Sequence, residues 1–317
     1  MYNSFLSIVS IIDSPQELKL LPELLNNIYP VLKDNFSDFE IILVNNTPGY
    51  AVDPYVTPLP TDLKHNIYLL NLSTKTNRNH AIVAGLDRSN GDYTIIFELA
   101  FYQRPDFITQ LFEKTRAPHD IVYLRAKDKP IKIKYRVFYR IFYAIIRLFS
   151  NLKIDDKAHN TRIISRRALN SLLKLRENLR FMKAVYPIVG YNTAYIETDE
   201  KIAEAQDVPF SEHFNTSLIA ITSYTTFLRA LLLWIFVFSF CFLLAVVANA
   251  LKVKFTGFDL FGNVQEQITG WTFLVVLISV FFAVTCLNLY IMSIYLSNIY
   301  AEIKQRPLYI IESIKRF

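Results

Sequence analysis

Cysteine is nearly absent from the chain: among 317 residues only Cys241 and Cys286 occur, both inside long apolar runs. No disulfide framework follows from that spacing, and the two read as packing residues within those runs. No secretory leader is expected either, since "MYNSFLSIVSIIDSP" has no basic start and its apolar run breaks at Asp13. The expectation is that the bulk of the chain stays in the cytoplasm. No internal repeat and no low-complexity segment is present. His80 and His159 lack a spaced partner, the usual mark of structural histidines rather than metal ligands.

What the chain has is hydrophobic length. Ala230 to Leu251 is a run of 22 residues without a formal charge, and Ile268 to Leu296 is another of 29. A helix needs roughly 20 such residues to cross a bilayer, so the pair predicts a transmembrane hairpin. The connection from Lys252 to Gln267 carries two lysines, one aspartate and one glutamate, whereas Arg229 precedes the first run and Lys304, Arg306, Lys315 and Arg316 follow the second. The positive-inside rule then predicts a multi-pass protein of the inner, cytoplasmic membrane with both termini in the cytoplasm.

The rest of the chain alternates. Phe5 to Ile12, Glu40 to Val44, Asn66 to Leu70, Tyr93 to Phe97 and Ile121 to Leu124 read as strands. Between them, Glu17 to Leu32, with Leu18, Leu21, Leu25, Ile28 and Leu32 on one face, reads as a helix, as do the segments around Ala81 to Leu86 and from Pro105 to Lys114. Alternation at this spacing predicts an α/β domain with a mostly parallel sheet covered on both faces. The longest connection, Thr47 to Leu63 with four prolines, reads as a lid or as plain surface. Ligands of such sheets gather at the carboxyl ends of strands, which directs attention to Glu98, just past Phe97.

After Pro130 comes "IKIKYRVFYRIFYAIIRLFSNL", with Lys132, Lys134, Arg136, Arg140 and Arg147 among aromatic and aliphatic residues. A basic, aromatic, amphipathic helix of this kind fits a membrane interface, and a core helix with a solvated basic face is the alternative. Nucleic acid would also suit the pattern and the sequence pI near 9.1. With two apolar runs nearby, anionic lipid headgroups are the simpler partner, and no nucleic acid is expected.

Several segments in order, "FLSIVSII…LPELL", "FEIILVNN", "AGLDRSNGDYTIIFELA", "TRIISRRALNSLLKL" and "RFMKAVYPIVGY", resemble the family 2 glycosyltransferases of GT-A fold. More narrowly they are similar to the polyprenyl-phosphate glycosyltransferases related to dolichyl-phosphate mannose synthase. "GW" at Gly270 and Trp271, followed by "YLSNIYAEIKQRPLYII" from Tyr295, is similar to the closing segment of the bacterial membrane-anchored members. The resemblance implies a Rossmann-like GT-A domain over residues 1–215, including an interfacial helix near 131–150, a transmembrane region over 216–300 and a cytoplasmic tail over 301–317. It also implies transfer of a sugar from a nucleotide sugar to a polyprenyl phosphate at the cytoplasmic face, with a divalent metal, Mg²⁺ or Mn²⁺.

The departures from the family pattern are specific. Its acidic pair after the second strand is here Asn45 and Asn46, its D-x-D loop is Glu98, Leu99, Ala100, and Tyr102 replaces a frequent glutamine. In the later segment Asp156, Lys157, Ala158, His159, Asn160, Thr161, Arg162, another acid has become Asn160. Hard cations prefer carboxylate oxygens, so no cofactor is expected despite the resemblance. Since the acceptor phosphate is already an anion, the chemistry needs cations more than a base. Arg162 falls at the family's phosphate-binding arginine, with Glu98 the surviving acid, and pairing of Arg162 with Asp156 is its structural alternative. Asn45, Asn46, Asp156, Asn160, Ser165, Arg166, Lys75, Arg78 and Arg104 complete the candidate substrate-binding set, the last three as cations able to replace a metal on a diphosphate. Two functions stay open at this point. One is a glycosyltransferase with an altered donor site, expected as a homo-oligomer. The other is a silent relative that binds lipid phosphate or scaffolds an active glycosyltransferase partner.

Overall fold

The structure, a computed structural model of the chain, describes residues 1–128, 133–150, 154–175, 182–200, 210–259, 261–262, 270–304 and 306–317. Lys132, Arg180 and Ile268 lie outside the described residues, as do the side chains of Lys134, Arg136 and Trp271. The chain divides into two units, one formed by Met1–Tyr143, Leu152–Pro209 and Gln305–Phe317, the other by Ala144–Asn151 and Phe210–Lys304.

The first unit is built on an eight-stranded sheet: β1 (Tyr2–Ile12), β2 (Phe36–Asn45), β3 (Ile67–Leu72), β4 (Tyr93–Ile96), β5 (Ile121–Ala126), β6 (Ala158–Ser165), β7 (Thr193–Thr198) and β8 (Ile311–Arg316). Their order across the sheet is β7-β5-β6-β4-β1-β2-β3-β8. Pairs β1–β2, β1–β4, β2–β3 and β5–β7 are parallel, and β4–β6, β5–β6 and β3–β8 are antiparallel. The α/β architecture with a mostly parallel sheet, expected from the alternation, is therefore present, with β6 and β8 running against the rest.

Helices fill the connections: α1 (Pro15–Asn35), the short α2 (Asp53–Val56) and α3 (Thr61–Lys64), α4 (Arg78–Arg88), α5 (Asp106–Thr115), α6 (Ile133–Phe149), α7 (Arg166–Lys174) and α8 (Met182–Ile188). The start of α1 is fixed by sequence: Ser14 accepts from the Glu17 amide, Pro15 occupies the first turn, and Glu17 reaches back to the Asp13 amide at 2.6 Å, a variant of the capping box. Leu18, Leu21, Leu25, Ile28 and Leu32 of α1 pack with α5 on one face of the sheet, against Leu6, Ile8, Ile41, Leu43 and Ile95. The other face carries α4, α7 and α8 against Val9, Ile11, Ile42, Val44 and Ile164. Neighbouring strand residues thus feed opposite layers, which is why the central strands read as unbroken apolar runs. On α4, Gly85 permits close approach, for a Cβ there would lie 2.3 Å from a Val9 methyl. The Thr47–Leu63 connection is no free lid, because Val52, Val56, Leu59 and Leu63 are buried in the first core layer.

The tail read at 301–317 contains a strand. Ile311–Arg316 pairs with β3, Tyr309 donates to Asp87, and Lys315 pairs with Asp53. The second unit contains α9 (Phe210–Tyr224), α10 (Phe227–Thr256) and α11 (Gly270–Ile303). Two stretches, Phe227–Val253 and Val276–Tyr300, are long and apolar enough to cross a membrane, and almost nothing in them is buried within the protein. Trp234, Phe238 and Phe282 are about 70% exposed or more, the opposite of a core helix. These two are candidate spans. Helix α6 buries Phe142 and Ile146 and exposes Val137, Ile141 and Leu148 beside exposed Arg140 and Arg147.

Candidate functional site

The carboxyl ends of β1, β2 and β4 meet the start of α4, and the residues there form one polar cluster. Arg78, the first residue of α4 after its Asn77 cap, lies 3.1 Å from Glu17, 3.8 Å from Asp13 and 3.9 Å from Glu98. Burial disfavours its charge, but Glu17, Glu98 and Asp13 together outweigh that and raise the guanidinium above its ordinary pKa. Lys75 adds a second cation at the rim, its ammonium 3.2 Å from the Asp13 carbonyl. Of the expected residues, Glu98, Asn46, Asn160, Arg78 and Lys75 are thus brought together. Asp13, Glu17 and Thr76 belong to the same cluster and were not singled out, although Asp13 ends its strand in the same way that Asn45 and Asn46 end theirs.

The amides have a physical role. Asn46, fully buried, donates to an Asp13 oxygen at 2.7 Å and to the Thr76 carbonyl at 2.9 Å, and accepts from the Thr76 amide. Asn160 donates to both Glu98 oxygens, through its backbone at 3.2 Å and its side chain at 3.0 Å. An aspartate at either position would face a carboxylate, and at 46 a carbonyl too, with no proton to give. Asn160 therefore takes both oxygens of Glu98, the acid left in the D-x-D position, and Asn46 takes one oxygen of Asp13. Both Glu17 oxygens are also taken, by the Asp13 amide and by Arg78. A divalent cation needs several free carboxylate oxygens, and among the described residues no group of three His, Cys, Asp or Glu is placed to hold one. With Arg78 in place, this donor set does not fit Mg²⁺ or Mn²⁺.

Arg162 lies on β6 and is 3% exposed. Its guanidinium donates to the carbonyls of Asn160 (3.1 Å) and His159 (2.7 Å) and stacks on Tyr186, 3.6 Å from the ring centre. Burial lowers its pKa, with Tyr186 and Glu98 acting in the opposite direction. It makes no ion pair with Asp156, as the structural alternative required. Asp155 instead is engaged, by Arg125 and the Tyr123 hydroxyl. Arg162 lines a small pocket with Tyr123, Asp155, Lys183 and Tyr186, and by bonding the 159–160 carbonyls it also shapes the turn that presents Asn160 to Glu98.

Five expected residues stay outside this cluster. Because β6 is antiparallel to β4, with Arg162 beside Ile96 and Ser165 beside Tyr93, its end lies at the opposite side of the sheet. There Ser165 caps α7 and donates to Asp120, and Arg166 donates to the Ser89 carbonyl. Arg104 is held by Asp106 at 2.9 Å and lies over Phe107. Asn45 sits at the right edge but turns toward β3, bonding Asn71, Tyr50 and Thr47. Asp156 makes no ion pair among the described residues.

No family model matches the chain. It is similar to an uncharacterized glycosyltransferase of Synechocystis, 26% identical over 286 residues covering 87% of this chain and 85% of that one. It is equally similar, at 26% over 283 residues, to the bactoprenol glucosyl transferase of Shigella phage SfII, covering 88% of this chain and 89% of that one. Among solved structures, a mannosyltransferase from Pyrobaculum calidifontis in complex with GDP-Man and Mn²⁺ aligns over 70% of this chain and 62% of its own, with 14% identity and a TM-score of 0.45.

Proposed function

We propose that the protein transfers a sugar from a nucleotide sugar to a polyprenyl phosphate at the cytoplasmic face of a membrane, using fixed cations in place of a metal. The observation that carries the reading is the carboxyl-edge cluster, where Arg78 stands among Asp13, Glu17 and Glu98 while Asn46 and Asn160 bond the remaining acid oxygens. Supporting it, relatives sharing nearly the full length of the chain are named glycosyltransferases, one of them acting on bactoprenol by its name, and two helices suit a membrane anchor. Enzyme names among the relatives favour transfer over a silent scaffold.

In this mechanism a phosphate oxygen of the lipid attacks the anomeric carbon and the nucleoside diphosphate leaves with the bonding electrons. No base is required, because the attacking oxygen is already anionic. Arg78 and Lys75 neutralise the leaving diphosphate, and since the cluster holds three carboxylates against two cations, Arg78 must turn from Glu17 toward the phosphates as they arrive. Arg162, with Lys183 beside it, serves the lipid phosphate and holds the Asn160 turn. The test is incubation of the purified protein with a panel of nucleotide sugars and undecaprenyl phosphate, with and without EDTA. Glycolipid formation that survives EDTA is expected. No product with any donor would overturn the transfer, and product abolished by EDTA would overturn the metal-free part.

A further inference from the structure

His159 is used by neither half of the proposed chemistry, although the turn it belongs to joins them. Its carbonyl accepts from Arg162 at 2.7 Å, and the next residue, Asn160, bonds both oxygens of Glu98. His159 is 4% exposed and its ring meets Phe101 edge to face, 5.0 Å between ring centres. Nε2 lies 3.2 Å from the Glu200 carbonyl. A carbonyl only accepts, so Nε2 carries the proton and Nδ1 of the neutral ring keeps a bare lone pair. Nδ1 makes no hydrogen bond among the described residues. The charged groups around the ring are Glu98 past β4, Glu200 past β7, Lys183 on α8 and Arg162 on its own strand. At rest, burial and Lys183 hold the ring neutral against the pull of the two carboxylates.

We propose that His159 is the charge-balancing residue of the donor site, taking a proton from solvent at Nδ1 as the nucleotide sugar binds and returning it when the nucleoside diphosphate leaves. The inference rests on the donor reading above. Glu98 is shared: its Oε1 accepts from Asn160 at 3.0 Å and lies 3.9 Å from Arg78. A diphosphate that draws Arg78 away removes that cation from Glu98 and adds negative charge of its own. Charge in a half-buried site is costly unless the opposite charge is near. The arginines beside Glu98 are charged already, so the imidazole is the group there that can gain positive charge. A lipid phosphate arriving beside Arg162 and Lys183 acts in the same direction, by offsetting the cations that oppose the proton.

The test follows binding alone, with the full chain in mild detergent and UDP-glucose and GDP-mannose as probes. Their diphosphates are esterified at both ends and exchange no proton near neutral pH, so any exchange belongs to the protein. Calorimetry in buffers of different ionisation enthalpy should show about half a proton or more taken up on binding at pH 7. By the same linkage the dissociation constant should fall about threefold or more per unit as pH drops from 8 to 6.5. His159→Gln keeps an N–H for the Glu200 carbonyl but cannot titrate, and should bind with no uptake and no such slope. Glu98→Gln, which removes the charge that the proton answers, should also lower the uptake. Binding without proton exchange, or uptake unchanged in either variant, would overturn the inference and leave the donor reading intact. If neither nucleotide sugar binds, both fall.

Discussion

On one side of the sheet, Glu40 of β2 accepts from Ser7 at 2.6 Å and from the Asn90 amide at 2.7 Å, Gly91 donates to Ser7, and Asp92 and Phe5 exchange backbone and side-chain bonds. On the other side, Asp13, Glu17, Glu98, Asn46, Asn160 and Arg78 form the cluster described above. Both are acid-rich and both tie loops to strands. They differ in closure: the Glu40 side chain is 6% exposed, whereas Arg78 and Asp13 are 29% and 25% exposed. The first is complete without a ligand and serves the fold. The second keeps its charges within reach of solvent and at the strand ends where ligands bind in such sheets. Residue type alone does not separate a latch from a site; exposure and the end of the strand do.

The largest expected effect breaks the closed side. A Cβ on Gly91 would lie 2.6 Å from the Ser7 amide nitrogen and 2.8 Å from the Phe5 carbonyl, both backbone atoms. Gly91→Ala should cost about 3 kcal/mol of stability or more, read by thermal or chaotrope unfolding. The open side should behave differently. Arg78→Ala should lower transfer roughly 100-fold, the scale for losing one preorganised charge-stabilising donor, with a smaller change in melting temperature. If melting falls as far as for Gly91→Ala and turnover of the folded fraction holds, Arg78 is another latch.

A third substitution sharpens the contrast within the open side. Asn46→Asp places a carboxylate where an amide now donates to Asp13 and Thr76. It should destabilise the fold by about 2 kcal/mol, the scale of a lost hydrogen bond to a charged group. Adding Mn²⁺ should not recover that loss while Arg78 remains, and recovery would show the cluster to be a metal site after all. The smallest effect concerns pH. Burial holds the His159 imidazole below its ordinary pKa of 6.5, although Glu98 and the Glu200 carbonyl favour its charge. As pH falls through 6.5 the unfolded chain takes up a proton that the folded one resists, so stability declines. His159→Gln should flatten the melting-temperature profile between pH 7 and 5.5, by about 1 kcal/mol at most.

Much of the fold was legible because apolar periodicity dictates it: each strand and helix read from Phe5 to Leu124 is present with ends moved by a few residues, most of them outward, although β3 starts at Ile67 and β4 stops at Ile96. Glu98 and Asn46 were legible because they end strands that run the same way. Strand direction is where sequence reading stopped. Ser165 and Arg166 follow Arg162 closely in sequence, but reversal of β6 carries them to the far side. Arg104 was read as available, while a carboxylate two residues on, Asp106, holds it. Partners of Arg78 come from β1, α1 and β4, and no spacing rule joins residues 13, 17, 78 and 98. Strand β8 was missed because six residues after a proline, all but Ile311 exposed, carry no alternation strong enough to distinguish strand from tail.

That last strand imposes an order on the protein's biogenesis. Asn71 of β3 bonds Ser313 of β8 across 242 residues of chain, and both helices of the apolar hairpin are synthesised between them. At elongation rates of about 5 to 20 residues per second, β3 emerges roughly 10 to 50 s before its outer neighbour exists. The whole apolar hairpin is synthesised during that interval, while β3 stands as an unprotected edge on the ribosome. Completion of the sheet therefore waits until both apolar helices have been made, and a chain stalled before Ile311 would present that edge to any chaperone or nascent neighbour nearby.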